Sequence, residues 1–128
     1  MVTGKLARLL APAAGVLPGL ALVAGRSMEP TLKEGAWVLV RRPRRVDPKL
    51  GQVVVVEHPQ RPGFELIKRV SAVSRERRLL WVSGDNLGAS SDSEGFGALP
   101  CGLLRGVVLA RVRPLPWRWL RADPSQIA

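Results

Sequence analysis

The centre of the chain reads Gln52-Val53-Val54-Val55-Val56-Glu57, with four consecutive β-branched residues between two polar ones. β-Branched side chains favour strands, and an uninterrupted apolar run of this length is typical of a strand that is buried on both faces. A buried strand needs hydrogen-bonded partners on each side. The run therefore predicts that the chain folds around an internal sheet.

Apolar runs on both sides of the valines supply the partner strands. We predict strands at Leu20–Val23, Ala36–Val40, Phe64–Val73, Leu79–Ser83 and Leu104–Val112. The polar stretch Arg75-Glu76-Arg77-Arg78 separates two of these runs and predicts a hairpin turn. We therefore expect an all-β fold, a compact and partly closed β-barrel with little helix.

A chain of 128 residues is expected to form one domain. We divide it into an apolar N-terminal lead at 1–19, a domain at 20–116 and a C-terminal tail at 117–128. Cys101 is the only cysteine, so an intrachain disulfide is excluded.

The apolar lead is shorter than a typical transmembrane helix and is interrupted by prolines. Leu9–Ala24 is apolar but contains Pro12 and Pro18, and a spanning helix needs about twenty apolar residues. Three interpretations stay open: a short membrane-associated lead, a marginal transmembrane anchor, or a lead followed by the first strand of the core. We favour the last in part, with residues before Pro18 docked on the protein surface or on a membrane. The expected location is accordingly cytoplasmic or membrane-associated.

The formal net charge of +10 suggests anionic partners. Anionic lipid and nucleic acid both attract arginine clusters. The chain has no nucleic-acid motif and no tyrosine, so we expect no nucleic-acid partner and keep a membrane surface as a candidate. Trp117 and Trp119 lie beside arginines, which fits either a membrane interface or a tail packed on the barrel.

The catalytic candidates are a serine and a lysine. A serine hydroxyl needs a base to become a nucleophile. The chain has a single histidine, His58, and its sequence contains no Gly-x-Ser-x-Gly elbow, the motif that carries the serine in many Ser-His-Asp triads. Lys68 lies in an apolar strand, where burial would lower the pKa of its amine into the range of a general base. Taken singly, Ser27 also fits a turn residue, and Lys68 with Arg69 also fits a solvated strand face.

Three stretches of the chain resemble the signal peptidase I family when they are read in order. They are Gly25-Arg26-Ser27-Met28-Glu29-Pro30-Thr31-Leu32, then Glu65-Leu66-Ile67-Lys68-Arg69-Val70, then Gly84-Asp85-Asn86 running on to Ser90–Gly97. Members of that family cleave peptide bonds with a serine nucleophile and a lysine base. Larger members insert a second β-rich domain between the lysine stretch and Gly-Asp-Asn, whereas only Ser71–Ser83 lie there in this chain.

The resemblance implies a role for each matching residue. Ser27 matches the nucleophile and Lys68 the general base. Asp85, Ser90 and Asp92 match the motif that braces the site, and the Ser90 hydroxyl matches one that helps to hold the lysine.

Substrate binding and cofactors follow from the same resemblance. We assign Met28, Pro30 and Ile67 to substrate binding, with the substrate being a precursor protein bound as an extended peptide. The resemblance implies neither a cofactor nor a metal.

Two positions depart from the family pattern. Some members place a serine two residues before the nucleophile as a second oxyanion donor, and this chain has Gly25 there. The family usually has an arginine at the position of Glu94, where it can pair with the aspartate that Asp92 matches.

The subfamily is less sharply marked. The small size, the His-Pro after the valine run and the Asp-Ser-x-x-Phe-Gly stretch look like the nickel superoxide dismutase maturation proteases, which remove an N-terminal extension. The alternatives are a small type I signal peptidase or an enzyme like the mitochondrial inner-membrane peptidases. From another class, the alternative is a catalytically silent module that grips extended peptides by strand addition.

Overall fold

The computed structural model describes residues 5–8, 19–86 and 96–127, the first of these segments by its backbone alone. Its strands are β1 Lys5–Arg8, β2 Gly19–Ala24, β3 Trp37–Arg41, β4 Val53–Glu57, β5 Glu65–Ser74, β6 Leu79–Ser83, β7 Leu99–Pro100, β8 Leu104–Arg113 and β9 Arg118–Trp119. Two short 3-10 helices, at Cys101–Leu103 and Pro124–Gln126, lie among the described residues.

All nine strands belong to one antiparallel sheet. Its order is β1-β2-β3-β8-β4-β5-β6-β7, and β9 pairs with β8 beyond the end of β4. β1 also approaches β5, because the sheet curls into a half-barrel. The predicted all-β, partly closed barrel is confirmed.

The valine run lies at the centre of the sheet, and alternate valines point into two different cores. The first core contains Val53 and Val55, and the second contains Val54 and Val56. The first core is completed by Ala21, Val23, Met28, Leu32, Ala36, Val38, Val40, Ile67 and Val108. The second is completed by Leu66, Val70, Leu80, Val82, Leu99, Cys101 and Leu104. Burial on both faces explains why this strand can be apolar without alternation.

The N-terminal lead contributes β1 to the sheet, and the domain begins with β2. Leu20–Val23 lies within β2, as predicted for the first strand of the core. Before it, β1 pairs antiparallel with β2, from Lys5 opposite Ala24 to Arg8 opposite Ala21. Residues 9–18, which hold both prolines of the lead, lie outside the described residues. Within the described segments, no helix has the length and apolar character needed to cross a membrane.

The C-terminal tail packs on the sheet. β9 pairs with Ala110 and Arg111 of β8, and Leu120 packs against the first core. The Asp123 N–H then donates to the Gly51 carbonyl oxygen at 2.9 Å. The two tryptophans of the tail, Trp117 and Trp119, stay exposed.

Candidate active site

Ser27 lies in a tight turn between β2 and β3. Gly25 has a φ of +85°, a left-handed conformation that glycine adopts without strain and that turns the chain out of β2. The Glu29 N–H donates to the Arg26 carbonyl at 3.2 Å, and the Leu32 N–H donates to the Met28 carbonyl at 2.8 Å. Ser27 is only 1% exposed. The turn therefore holds the serine in a fixed and nearly dry position.

Lys68 lies in the middle of β5 opposite Val54. It shares a strand face with Leu66 and Val70, as the alternation predicts, and both of these residues belong to the second core. Lys68 is 1% exposed. Loss of water around the ammonium lowers the pKa of Lys68 from its usual 10.5 to about 8. A base of this strength has a substantial neutral fraction near physiological pH.

Both candidate groups are buried without hydrogen-bond partners. Within the described part of the chain, neither Ser27 Oγ nor Lys68 Nζ has a partner within hydrogen-bond distance. Buried polar groups normally find partners, and exceptions concentrate at sites with a catalytic role. Lysine is also almost never fully buried without a charge partner. The interpretation of Lys68 as part of a solvated strand face is therefore wrong.

The residue after the lysine is buried as well, and it is fully paired. Arg69 Nε donates to Asp85 Oδ1 at 2.8 Å, and Arg69 Nη2 donates to Asp85 Oδ2 at 2.7 Å. Arg69 Nη1 donates to the Gly51 carbonyl at 2.8 Å, and the Thr31 hydroxyl donates to Asp85 Oδ2. Because Thr31 follows the serine turn, Asp85 joins that turn to the strand that carries Lys68.

Asn86 adds a second connection between the motifs. Its N–H donates to the Ser27 carbonyl at 2.8 Å, and its Nδ2 donates to the Arg26 carbonyl at 3.0 Å. The structure thus brings the serine stretch, the lysine stretch and Gly84-Asp85-Asn86 together in one cluster. The sequence predicts a bracing role for Asp85, whereas the roles of Thr31, Arg69 and Asn86 emerge only from the structure. The one feature of the sequence that could have indicated their roles is that all three lie within the stretches that resemble the family.

The residues predicted to bind substrate or to serve the oxyanion hole do not share one location in the structure. Met28 and Ile67 are buried in the first core, beneath the turn, and Pro30 lines an open groove beside it. The Gly25 N–H donates to Glu34 Oε2 at 3.2 Å, so this backbone donor is already occupied. The substrate-binding and oxyanion roles of these four residues stay predictions.

The remaining predicted residues, Ser90 and Asp92, lie outside the described residues, and so does Glu94.

His58 has a packing role away from the serine turn. Its Nδ1 accepts the Gln60 N–H at 3.0 Å, and its ring packs edge-on against Phe96 and Phe64. Burial, with a contribution from Arg61, lowers the pKa of His58. In the described residues, no cluster of three or more histidine, cysteine, aspartate or glutamate side chains could hold a metal ion.

Comparisons with known proteins agree with this geometry. The family model for signal peptidase, peptidase S26, matches residues 6–77, which include both Ser27 and Lys68. A mitochondrial inner membrane protease subunit 2 of Danio rerio is 34% identical, covering 86% of this chain and 73% of its own. The subunit 1 of Homo sapiens is 29% identical, covering 84% of this chain and 77% of its own. No solved structure matches the chain. The chain therefore belongs to the signal peptidase family, peptidase S26, and is a serine-type peptidase.

Proposed function

We propose that this protein is a Ser27/Lys68 endopeptidase that removes an N-terminal extension from a precursor protein, in the manner of an inner-membrane-peptidase-like enzyme. The observation that carries the proposal is the Lys68 amine, which is buried, has a lowered pKa and has no carboxylate to neutralise it in the described residues. A lysine in this state can accept a proton. The strand that carries it is tied by Arg69, Asp85 and Asn86 to the turn that carries the serine.

The reaction follows from these two groups. The neutral Lys68 amine takes the proton from Ser27 Oγ as Oγ attacks the scissile carbonyl carbon. The carbonyl oxygen becomes an oxyanion, to which the Ser27 N–H would donate. The Lys68 ammonium then protonates the leaving nitrogen, the C–N bond breaks, and an ester with Ser27 remains. Water, deprotonated by the neutral amine, hydrolyses that ester and restores the serine.

The relatives favour a precursor processed at a membrane. The relatives from Danio rerio and Homo sapiens are subunits of mitochondrial inner membrane proteases. They therefore support an inner-membrane-peptidase-like enzyme better than a nickel superoxide dismutase maturation protease. We therefore propose a precursor with an N-terminal presequence, bound as an extended peptide close to a membrane surface. The exposed tryptophans and the net charge of +10 are consistent with that location.

The test is cleavage of purified precursors, with the new N-terminus read by mass spectrometry. We expect Ser27→Ala to reduce turnover by at least about a thousandfold, because it removes the nucleophile, and Lys68→Arg to be equally inactive, because guanidinium keeps its proton. Ser71→Ala, on the same strand as Lys68, is the matched control and should retain activity.

Three outcomes would contradict the proposal or a part of it. Full turnover by Ser27→Ala would remove the serine from the mechanism. Binding of precursors without any cleavage by the wild-type chain would favour the silent peptide-binding module. Cleavage of a nickel superoxide dismutase precursor, but not of an inner-membrane-type presequence, would restore the maturation-protease interpretation.

A further inference from the structure

An open groove of about 540 Å³ lies between the C-terminal tail and the serine turn. Pro30 and Thr31 line it on the side of the turn, and the tail from Arg118 to Asp123 lines the other side. Four arginine side chains reach it: Arg69, Arg111, Arg118 and Arg121. Arg69 is neutralised by Asp85, whereas the other three form no salt bridge with any acidic group in the described residues. The groove therefore carries an uncompensated positive charge.

Two of these arginines are placed unfavourably unless an anion lies between them. Arg111 of β8 and Arg118 of β9 are directly opposite each other in the ladder, where like charges destabilise the pairing. Arg111 Nη2 donates to the Pro116 carbonyl at 3.1 Å, but Arg111 Nε is buried and has no partner in the described residues. The repulsion and the unsatisfied donor are independent observations, and a bound anion would relieve both.

The protein itself offers the groove little negative charge. Asp123 is the only carboxylate among the lining residues, and its Oδ1 already accepts from the Ser125 N–H and hydroxyl. An external ligand with several acceptor oxygens would fit the arginines better. Phosphate oxygens match guanidinium groups closely, because two parallel N–H bonds can reach one phosphate.

Exposed apolar side chains at residues 115–119 form a rim, and one of them, Trp119, lines the groove. Leu115 is 63% exposed, Trp117 51% and Trp119 62%, and the two indole rings contact each other edge to face with centroids 6.1 Å apart. β9 and the packed Leu120 hold this rim in place. Tryptophans beside arginines are typical of surfaces that sit at the headgroup level of a bilayer.

We propose that the groove binds the phosphate of an anionic membrane phospholipid, with Arg111 and Arg118 on the headgroup and the rim of Leu115, Trp117 and Trp119 in the interfacial layer. The apolar rim is the reason to assign a lipid rather than a free phosphate, because a soluble anion would leave those side chains in water. This inference extends the membrane part of the proposed function by naming the surface and the ligand. It does not depend on the catalytic dyad.

The test is co-sedimentation of the full chain with vesicles, which requires no turnover and is therefore independent of the dyad. Wild-type protein should bind vesicles of phosphatidylglycerol and phosphatidylcholine and should bind pure phosphatidylcholine far more weakly. Arg111→Gln/Arg118→Gln should lower the affinity for the anionic vesicles about thirtyfold, because each arginine near an anionic surface contributes roughly a fivefold factor. Trp117→Ala/Trp119→Ala should lower it as well and should blunt the shift of tryptophan fluorescence on binding.

The matched control is Arg75→Gln/Arg77→Gln, which removes the same charge from the exposed turn between β5 and β6. Equal losses for the two arginine pairs would overturn the proposal, because net charge alone would then explain the binding. Wild-type measurements provide a second check that needs no variant. Equal binding to anionic and to pure phosphatidylcholine vesicles would contradict an anionic lipid as the ligand, because phosphatidylcholine carries a phosphate but no net charge. Thermal stabilisation by inorganic phosphate without binding to anionic vesicles would contradict a lipid as the source of the phosphate.

Discussion

Lys68 is buried as deeply as the leucines and valines around it, although its side chain ends in an amine. In water this amine would be protonated at every physiological pH. On the face of β5 it is surrounded by the second core, which cannot solvate an ammonium ion. The same burial that weakens the protein makes the amine able to accept a proton. At this residue, a cost in stability is the direct source of the proposed chemistry.

The first prediction concerns the pH dependence of cleavage. Because desolvation lowers the pKa of Lys68 to about 8, the neutral base is the minor form at pH 7 and the major form at pH 9. We expect kcat/KM to rise with pH and to level off above about 8. Stopped-time assays from pH 6 to pH 10 with a short soluble peptide would measure this. A profile that falls over that range would be incompatible with a lysine base.

The second prediction concerns stability. The shift in the pKa of Lys68 from 10.5 to about 8 corresponds to a penalty of about 3 kcal/mol in the protonated state, at about 1.4 kcal/mol per unit. Below the lowered pKa the folded protein keeps the buried ammonium and the full penalty. As the pH rises from about 8 to 10.5, the unfolded chain holds more protons than the folded one, so the free energy of unfolding should rise.

The corresponding variant is Lys68→Met, measured by urea unfolding at pH 7. It should unfold at higher urea concentration than the wild type and should lack the rise in stability between pH 8 and 10.5. Lys49→Met, at an exposed position, is the control and should change neither quantity appreciably. A less stable Lys68→Met would mean that the amine has a stabilising partner.

Among the elements, β5 and the segment after β6 are joined by a buried ion pair. Arg69 and Asp85 side chains are 3% and 2% exposed, and each carboxylate oxygen accepts a guanidinium N–H. A second pair, Arg105 and Glu57, has side chains that are 35% and 23% exposed and lies at the end of β4. The two pairs therefore differ in burial and in geometry, since Arg69 and Asp85 share two hydrogen bonds whereas Arg105 and Glu57 meet at a single contact of 3.2 Å.

The third prediction compares these pairs. Asp85→Asn should lower the free energy of unfolding by about 3–5 kcal/mol, because it leaves the buried Arg69 without a charge partner. Glu57→Gln should lower it by less than about 1 kcal/mol, because water screens the more exposed pair. Both can be measured by thermal or urea unfolding. Equal losses would show that neither the burial nor the paired hydrogen bonds of Arg69 and Asp85 make this ion pair more stabilising than an exposed one.

The strands were predictable because their pattern is local. Leu79–Ser83 was predicted with the observed bounds, and the valine run was predicted to be buried and is. The short strands β7 and β9, of two residues each, were not predicted, because so few residues carry no periodic signal. At the site, Asp85 was expected to brace the cluster and pairs with Arg69. The part of Asn86 was not foreseen, because a backbone carbonyl such as that of Ser27 leaves no trace in the sequence.

On the scale of the whole molecule, Gly51 connects the tail to the site. Its carbonyl accepts from both Arg69 Nη1 and the Asp123 N–H. Its Cα faces the tail so closely that an added Cβ would lie 2.5 Å from the backbone of Asp123 and Pro124. Gly51 has a φ of +82°. Gly63 has the same φ, but an added Cβ there would meet nothing within 4 Å.

The fourth prediction uses this matched pair of glycines. Gly63→Ala should lower the free energy of unfolding by about 1–2 kcal/mol, which is the cost of the left-handed conformation alone. Gly51→Ala should lower it by about 2–4 kcal/mol, because the methyl group must also displace the tail. Hydrogen exchange should then show faster exchange at Leu120 and Asp123 in Gly51→Ala only. Equal losses of stability and equal hydrogen exchange in the two variants would show that the tail can move away from a methyl group at position 51 at no cost in free energy.

The turn between β5 and β6 makes the protein easy to extend. Arg75–Arg78 is exposed at the tip of a hairpin, and the Cys101 N–H fixes only its last residue, through the Arg78 carbonyl. A fluorescent reporter grafted between Glu76 and Arg77 would begin and end at adjacent points of the tip. Since exposed loop tips accept insertions with little loss of folding, such a fusion should keep its peptidase core intact. This small protein should therefore accept an inserted domain in the same part of the chain where larger signal peptidases have one.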